Sequence, residues 1–301
     1  ETLIPVDIES LEPGRQRYGF FTNENGGILD DLMIANIGHR LVLVVNAANK
    51  SADEAHLRAH LPSSITVEKV DRALIALQGP KSESALARLN SGCTAMRFMD
   101  VKTLELLGEN CPVSRSGYTG EDGFEISVPN DSADQIARAL LAMDEVEAIG
   151  LGARDSLRLE AGLCLHGSDI DQTTTPVEAQ LTWAIPKVRR EGGARSGGFP
   201  GENTIFEQFR DGVPRRRVGL RPEGRAPIRG GAQIFASEVG GEAIGEVTSG
   251  GFGPTVGAPV ARGYVETGRA EPGTRLFAEV RGKRLALDVS QLPFVPLGFK
   301  R

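Results

Sequence analysis

One carboxylate, Glu125, follows a glycine-rich stretch in a pattern that suits ligand binding. Gly117, Gly120 and Gly123 precede it at a three-residue spacing, which predicts tight turns where a side chain would obstruct the backbone. Residues 124–128 then alternate apolar and polar, which predicts a strand with Glu125 facing away from the packed side. A carboxylate accepts two parallel hydrogen bonds, so it suits a flat group with two neighbouring N–H donors. The alternative on the pattern alone is a solvated strand residue.

A pair of consecutive aspartates, Asp30 and Asp31, interrupts an apolar run at residues 28–34. Residues 23–27 are rich in Asn and Gly and supply the positive φ angles of a tight turn, so residues 17–35 are predicted to form a β-hairpin. Alternation sends the two carboxylates to opposite faces of the second strand. Because burying an unpaired charge is costly, at least one of them needs a specific partner or lines a polar pocket. The alternative is an edge strand with one aspartate solvated.

A third candidate, Arg154, lies in the first turn of a helix predicted within residues 150–167. The helical spacing puts Leu157, Ala161 and Cys164 on a core stripe, with Arg154 and Arg158 together on another face. A cation in the first turn gains nothing from the helix dipole, so its presence indicates a partner carboxylate. A plain surface arginine is the alternative.

Composition restricts the class of protein. The chain has 301 residues, 40% of them hydrophobic, and a net charge of −6, which predicts a soluble globular protein of two or three packed units. No apolar run is long enough for a bilayer span, and the acidic balance argues against nucleic-acid binding. The first residues do not resemble a secretory leader. The three cysteines lack a CxxC pair, so we expect neither a disulfide framework nor a metal site, and we expect a reducing compartment, the cytoplasm.

Periodicity and turn residues predict the remaining elements. The stretch at residues 78–80 lacks the spacing of a phosphate-binding loop, so that alternative is rejected. Residues 3–8 are strand-like, and residues 192–201 are predicted to form an exposed loop. Predicted helices cover residues 51–60, with a Ser51–Glu54 capping box, and residues 82–89, 131–143 and 202–209, and predicted strands cover residues 40–45 and 67–77.

Short strands separated by Gly and Pro follow Pro214 and predict a small β-barrel or Greek-key domain. The run Arg215–Arg216–Arg217 at their start is typical of a solvated strand end, with a docking surface for an acidic partner as the alternative. The predicted strands cover residues 217–220, 242–247, 260–265, 275–280 and 285–289.

Several stretches of this sequence together resemble the glycine-cleavage T-protein, the tetrahydrofolate-dependent aminomethyltransferase family. They occur in the family's order and cover essentially the whole chain. The matching stretches are residues 23–32, 77–80, 117–126, 150–167, 174–178, 245–254 and 293–296.

The resemblance implies an activity and its participants. In this family a lipoylated H-protein carries an aminomethyl group on sulfur, and the T-protein releases ammonia and passes the one-carbon unit to tetrahydrofolate, giving 5,10-methylenetetrahydrofolate. No metal, nucleic acid or membrane is involved. The location implied is the cytoplasm, or the mitochondrial matrix in a eukaryote.

The resemblance also assigns residues. It implies that Glu125 binds the flat N–H pair of the pterin ring, and that Asp31, rather than Asp30, is the catalytic aspartate that orients or deprotonates N5. Further folate contacts are implied for Arg154, Tyr18, Val44, Tyr118 and Trp183. Two positions depart from the family: His166 and Phe299 stand where relatives often have tyrosine, and both are retained as candidate folate contacts.

The implied architecture is an α+β, three-lobed fold, with two mixed α/β units and a C-terminal β-barrel around the folate. The family's N-terminal segment is missing, so the chain resembles an N-terminally truncated member, and we expect exposed core surface and weaker folate binding than in an extended chain. The expected parts are residues 1–66, a remnant of the first unit, residues 67–205, the folate-binding unit, and residues 214–301, the barrel.

Four rivals lie within or beside this family. A folate-dependent demethylase would share the fold, whereas a flavoenzyme relative would carry a dinucleotide-binding fingerprint that is absent here. An iron–sulfur assembly relative would carry a different cysteine motif, so Cys164 is expected to pack as a buried thiol. The remaining rival is a folate-binding protein without turnover.

Overall fold

The structure, a computed structural model, describes residues 1–301 as two compact units that interleave along the chain. We call them the barrel unit and the sheet unit. None of the helices has both the length and the apolar composition needed to cross a membrane. The barrel unit comprises Glu1–Glu9, Gly19–Asp31 and Gly152–Pro296, and the sheet unit comprises Ser10–Tyr18, Leu32–Leu151 and Leu297–Arg301. The three-part boundaries expected from the sequence stay a prediction.

The predicted hairpin is confirmed. β1 (Arg15–Thr22) and β2 (Ile28–Asn36) form a three-stranded sheet with β3 (Leu41–Val44), in the order β1-β2-β3. The side chain of Asn23 closes the turn, because its Oδ1 accepts hydrogen bonds from the backbone N–H of Asn25 and of Gly27, each at 3.0 Å.

Residues 3–8 do not form the expected strand. Pro5 has no N–H to give to a ladder, which breaks the run, and the segment is irregular. Its apolar side chains are nonetheless buried, Val6 completely. The segment is held by Arg195, which pairs with Glu1 and, at 2.6 Å, with Asp7.

A four-stranded antiparallel sheet forms the core of the sheet unit, in the order β4-β7-β6-β5. Its apolar face packs against α3 through Ile136 and Leu140. The elements of this unit, besides β3, are α1 (Lys50–His60), β4 (Ala73–Gln78), α2 (Ser82–Ala87), β5 (Val101–Leu106), β6 (Glu109–Ser114), β7 (Gly123–Val128) and α3 (Ala133–Leu141).

Two local predictions in this unit are wrong. The helix α1 begins at Lys50 after Asn49, with no side-chain cap, and Glu54 pairs with Arg58 one turn later instead of forming a capping box. The strand predicted for residues 67–77 begins only at Ala73. Its partner β7 ends at Val128, before Pro129, so residues 67–72 have no ladder to join.

The helix α4 (Leu151–Glu160) is shorter than its sequence pattern indicates. Gly162 has φ +72°, which ends the helical path. Ala161 and Cys164 are therefore buried beyond the helix, and its buried residues are Arg158, Leu159 and Glu160. The following residues are irregular as far as α5 (Glu202–Asp211). The loop 192–201 is only partly exposed, since Phe199 is 4% exposed.

The predicted C-terminal barrel is confirmed as a closed barrel of six strands in the order β10-β11-β8-β13-β12-β9. Its interior is filled by side chains such as Leu220, Val247 and Leu287, all fully buried. Together with the mixed α/β remainder, it confirms the predicted fold class. The strands are β8 (Arg215–Pro222), β9 (Gln233–Phe235), β10 (Ala243–Gly253), β11 (Ala258–Glu266), β12 (Arg275–Val280) and β13 (Lys283–Ser290).

Candidate functional site

The glycine-rich loop between β6 and β7 is built around one side chain, Gln78, at the end of β4. Gln78 Nε2 donates to the carbonyl oxygen of Ser116 at 3.0 Å, and Gln78 Oε1 accepts from Thr119 Oγ1 at 2.9 Å. A Cβ on Gly117 would overlap the Gln78 amide, and one on Gly123 would lie 2.6 Å from Gln78 Cδ. Gly117 and Gly123 are therefore required by close approach to this amide, whereas Gly120 is required by its φ of +79°.

Glu125 occupies the position in β7 that alternation predicts. Phe124 and Ile126 are fully buried on the core side, while Glu125 is half-buried on the other face. Its Oε2 accepts a hydrogen bond from Ser116 Oγ at 2.8 Å, and Ser116 Oγ lies 3.0 Å from Ser114 Oγ. The carboxylate is thus held at one oxygen, while most of its lone-pair positions remain for a ligand.

A buried arginine supports the same loop from the core side. Arg115 is 1% exposed and binds both carboxylate oxygens of Asp122 as well as Glu83 Oε2, the last at 2.6 Å. Burial opposes the charge of Arg115, but the hydrogen bonds that it donates to Asp122 and Glu83 raise its pKa. A hydrogen bond from Lys300 at 2.6 Å and the contact with Arg115 lower the pKa of Glu83.

The C-terminal residues join this loop in the sheet unit. Gly298 N donates to the carbonyl oxygen of Gly120 at 2.8 Å. The ring of Phe299, a predicted folate contact, stacks on Phe98 with centroids 4.0 Å apart and planes 9° apart. The three other predicted contacts in this unit are Tyr18 and Tyr118, both half-buried, and Val44, which is 39% exposed at the end of β3.

The strand β2 lies between β1 and β3, but its ladder with β3 begins only at Met33, after the two aspartates. Asp30 is completely buried, and its Oδ1 lies 3.7 Å from His166 Nδ1. Asp31 is half-buried on the other face. The expectation that at least one carboxylate has a specific partner is met by Asp30 and His166.

The segment that carries His166 is fixed by a second buried carboxylate, Asp169. Its Oδ2 accepts from Arg158 Nη1 at 2.7 Å, from Arg262 Nη2 at 2.6 Å and from the backbone N–H of Leu165 at 3.0 Å. Tyr264 donates to its carbonyl oxygen at 2.6 Å. Burial alone would raise the pKa of Asp169, but Arg262 and Arg158 outweigh it and lower this pKa.

Of the two arginines predicted to share a face of α4, Arg158 pairs with two carboxylates, Asp155 and Asp169. It is 3% exposed and is therefore buried. Arg154 is half-buried on the same helix. Trp183, in a short 3-10 turn at Thr182–Ala184, is 64% exposed.

The arginine run at the start of β8 is not a solvated strand end. Arg215 Nε donates to Glu178 Oε1 at 2.8 Å, and its guanidinium lies over the Tyr264 ring. Arg217 is buried and donates to the carbonyl oxygens of Ala179 and Gly162. Two of these three cations therefore tie the barrel to the irregular segment after α4.

Sequence reasoning missed several supporting residues. Gln78 was visible as a polar residue that ends an apolar strand before Gly79 and Pro80, which could have indicated a turn anchor. Glu160 accepts from the backbone N–H groups of Thr255 and Val256 at 2.8 and 2.7 Å, beside the glycines of residues 245–254. Arg115, Asp169 and Arg262 gave no signal that separates them from surface charges.

The predicted site residues are divided between the two units. Tyr18, Val44, Tyr118, Glu125 and Phe299 belong to the sheet unit, and Asp31, Arg154, His166 and Trp183 belong to the barrel unit. Their roles toward a ligand stay a prediction. Cys93, Cys111 and Cys164 form no disulfide and are buried, which confirms the expectation that Cys164 packs as a buried thiol.

Two family models match the chain. The GCVT N-terminal domain matches residues 1–189, and the glycine cleavage T-protein C-terminal barrel domain matches residues 215–296.

Curated relatives match over nearly the full chain. The mitochondrial aminomethyltransferase of Flaveria pringlei is 45% identical over 98% of this chain and 74% of the relative. A probable mitochondrial aminomethyltransferase of Schizosaccharomyces pombe is 43% identical over 98% of this chain and 76% of the relative. The mitochondrial aminomethyltransferase of Dictyostelium discoideum is 41% identical over 100% of this chain and 78% of the relative.

A solved structure agrees with these relatives. The crystal structure of glycine cleavage system aminomethyltransferase T from Bartonella henselae superposes with a TM-score of 0.90 at 45% identity, covering 99% of this chain and 81% of that one. The two family models, the curated relatives and the solved structure all indicate the same family. The chain therefore belongs to the glycine cleavage T-protein family and is an aminomethyltransferase.

Proposed function

We propose that the chain transfers a one-carbon unit from the aminomethyl-lipoyl arm of an H-protein to tetrahydrofolate, with release of ammonia. The observation that carries this proposal is Glu125, a half-buried carboxylate on a rigid strand beside a loop shaped by close backbone approach. Such a group, preformed and partly desolvated, is the kind of polar anchor that orients a flat ligand in a pocket.

The donor chemistry of the pterin fits Glu125. The ring presents an N–H beside an exocyclic amino group, and a carboxylate accepts such a pair as two parallel hydrogen bonds. Ser116 uses one lone pair of Oε2, so both oxygens keep capacity to accept from the ligand. We therefore assign Glu125 to pterin binding.

The other assignments rest on the family resemblance. Arg154 is proposed to contact the folate, as are His166 and Phe299 where relatives often have tyrosine. Tyr18, Val44, Tyr118 and Trp183 are proposed to pack against its rings, since aromatic and apolar side chains bury flat ring faces well.

Asp31 is proposed as the catalytic carboxylate. Tetrahydrofolate supplies the nucleophilic nitrogen that accepts the carbon. As the carbon bonds to two nitrogens of tetrahydrofolate, its bonds to the lipoyl sulfur and to the amine nitrogen break, and the two protons that tetrahydrofolate loses end on the thiol and on ammonia. The carboxylate of Asp31 would orient the first nitrogen and take up its proton for transfer to a leaving group. The neighbouring Asp30 is completely buried and faces His166, which favours Asp31, half-buried on the opposite face, as the catalytic carboxylate.

Ammonia release from aminomethylated H-protein, measured with and without tetrahydrofolate, tests the proposal. We expect Asp31→Asn to lower kcat by about 10²–10⁴-fold, the usual contribution of a positioned acid or base. We expect Glu125→Gln to weaken tetrahydrofolate binding by about 10- to 100-fold, since hydrogen bonds to a charged group are lost.

Glu105→Gln is the matched control, because Glu105 is an exposed carboxylate on β5 of the same sheet as Glu125. Activity near that of the unmodified protein in Asp31→Asn would leave Asp31 without a chemical role. Tetrahydrofolate binding without ammonia release would instead indicate a folate-dependent demethylase or a binding protein without turnover.

The mitochondrial relatives bear on location. Relatives from plants, fission yeast and a slime mould are named as mitochondrial. We propose the mitochondrial matrix in a eukaryotic host and the cytoplasm in a bacterial one.

A further inference from the structure

Ser116 is the side chain that fixes one oxygen of Glu125. Its hydroxyl donates to Glu125 Oε2 at 2.8 Å, and the residue is 5% exposed. Ser114, which pairs with Glu125 across the β6–β7 ladder, has its hydroxyl 3.0 Å from that of Ser116. The hydroxyls of Ser114 and Ser116 therefore form a short hydrogen-bonded chain that ends at one oxygen of the Glu125 carboxylate.

The backbone of Ser116 is itself held in place. Gln78 Nε2 donates to its carbonyl oxygen at 3.0 Å, and Gln78 Oε1 accepts from Thr119 three residues later in the loop. The neighbouring Arg115 is anchored in the core through Asp122. The hydroxyl of Ser116 therefore projects from a backbone fixed on both sides, which is what a hydrogen-bond donor needs in order to orient another group.

We infer that Ser116 is a positioning residue for the pterin-binding carboxylate, an inference that rests on the proposed role of Glu125. A glutamate side chain rotates about three torsions, and the loss of this rotational freedom on binding weakens the affinity for the ligand. The bond from Ser116 fixes the plane of the carboxylate before the ligand arrives. The binding free energy of the two parallel hydrogen bonds to the pterin is then not reduced by the cost of ordering Glu125.

Substitution of Ser116 tests the inference. Ser116→Ala removes one hydrogen bond to a charged acceptor, and we expect the Kd and the KM for tetrahydrofolate to rise about 10-fold, with a much smaller change in kcat. Ser127→Ala is the matched control: Ser127 lies two residues after Glu125 on the same face of β7, and its hydroxyl accepts from Arg72 instead. We expect the control to keep the original Kd.

A double-mutant cycle with Glu125→Gln separates positioning from a general structural effect. If Ser116 acts through Glu125, Ser116→Ala changes the Kd by less than about 2-fold in the Glu125→Gln background. An equal loss in both backgrounds would overturn the inference, as would an unchanged Kd in Ser116→Ala alone. If Glu125→Gln alone leaves the Kd unchanged, the proposed pterin-binding role fails and the inference fails with it. If Glu125→Gln raises the Kd but Ser116→Ala does not, the proposed role of Glu125 stands and the inference about Ser116 fails.

Discussion

Gln78 Oε1 accepts a hydrogen bond from Thr119 Oγ1 at 2.9 Å across 41 positions of sequence. The last side chain of β4 thus fills the space beneath a loop whose glycines have no side chain to place there. The loop that precedes Glu125 is shaped by a residue from another strand rather than by its own sequence alone.

Substitution of Gly117 is the direct test of that packing. In Gly117→Ala the new Cβ would overlap the Gln78 amide, so Gln78 must move and lose its bonds to Ser116 and Thr119. We expect a loss of about 1–3 kcal/mol in the free energy of unfolding, measured in urea, and weaker tetrahydrofolate binding.

Gly268→Ala is the control for Gly117→Ala, because no atom lies within 4 Å of the added Cβ and the backbone φ there is not positive. In a Gln78→Ala background the overlap disappears, so Gly117→Ala should cost clearly less than in the unmodified protein. Equal costs at positions 117 and 268 would contradict the packing argument.

Asp169 predicts a specific dependence of stability on pH. Asp169→Asn leaves Arg158 and Arg262 buried without their shared countercharge, so we expect a loss of about 3–5 kcal/mol at pH 7. The pKa of Asp169 is lowered in the folded protein. Its contribution is therefore present above its unfolded pKa, about 3.9, and is lost as the pH falls through the folded value.

The measurement for Asp169 is equilibrium unfolding of both proteins between pH 7 and pH 2. The difference in unfolding free energy should stay constant down to about pH 5 and shrink at lower pH. Asp288→Asn, which touches a half-exposed pair with Arg275, should show no such difference. A difference that persists unchanged at the lowest pH would mean that packing, rather than charge, explains the cost.

Arg115 offers a contrast between a buried and an exposed ion pair. Arg115→Met leaves Asp122 facing a core position without its cation, while Glu83 keeps Lys300, and we expect a loss of about 3–5 kcal/mol in the free energy of unfolding. Arg138→Met removes a pair with Asp134 in which both side chains are mostly exposed, so thermal and urea unfolding should be unaffected. Comparable behaviour of the two variants would contradict the role of burial.

Local pattern was enough to predict the strand of Glu125 and the hairpin of Asp31. Side chains alternate across a strand whatever lies around it, so the buried positions of Phe124 and Ile126 identify the face of Glu125. Asn23 and the glycines after it close the hairpin through contacts within five residues. Both predictions depended only on near neighbours in sequence.

Other features depended on contacts that no local pattern records. Asp169 and Arg262 are 93 positions apart, and in the sequence each is indistinguishable from a solvated charge. Residues 67–72 have strand-like composition, yet the strand needs a partner, and β7 ends at Val128. The barrel strand β9 has three residues, which are too few to show an alternation of apolar and polar side chains.

The buried cysteines predict a pattern of chemical reactivity. Burial raises the pKa of Cys93, Cys111 and Cys164, and the thiolate is the reactive form. We expect all three thiols of the folded protein to resist iodoacetamide at pH 8, and all three to be alkylated in guanidinium chloride. Intact-mass spectrometry of timed samples counts the adducts, with glutathione as the freely reacting reference.

Because Cys164 lies in the segment that Asp169 fixes, Asp169→Asn should accelerate labelling at Cys164 more than at Cys111, which peptide mapping would resolve. Rapid labelling of Cys164 in the unmodified protein would show that this segment opens without unfolding.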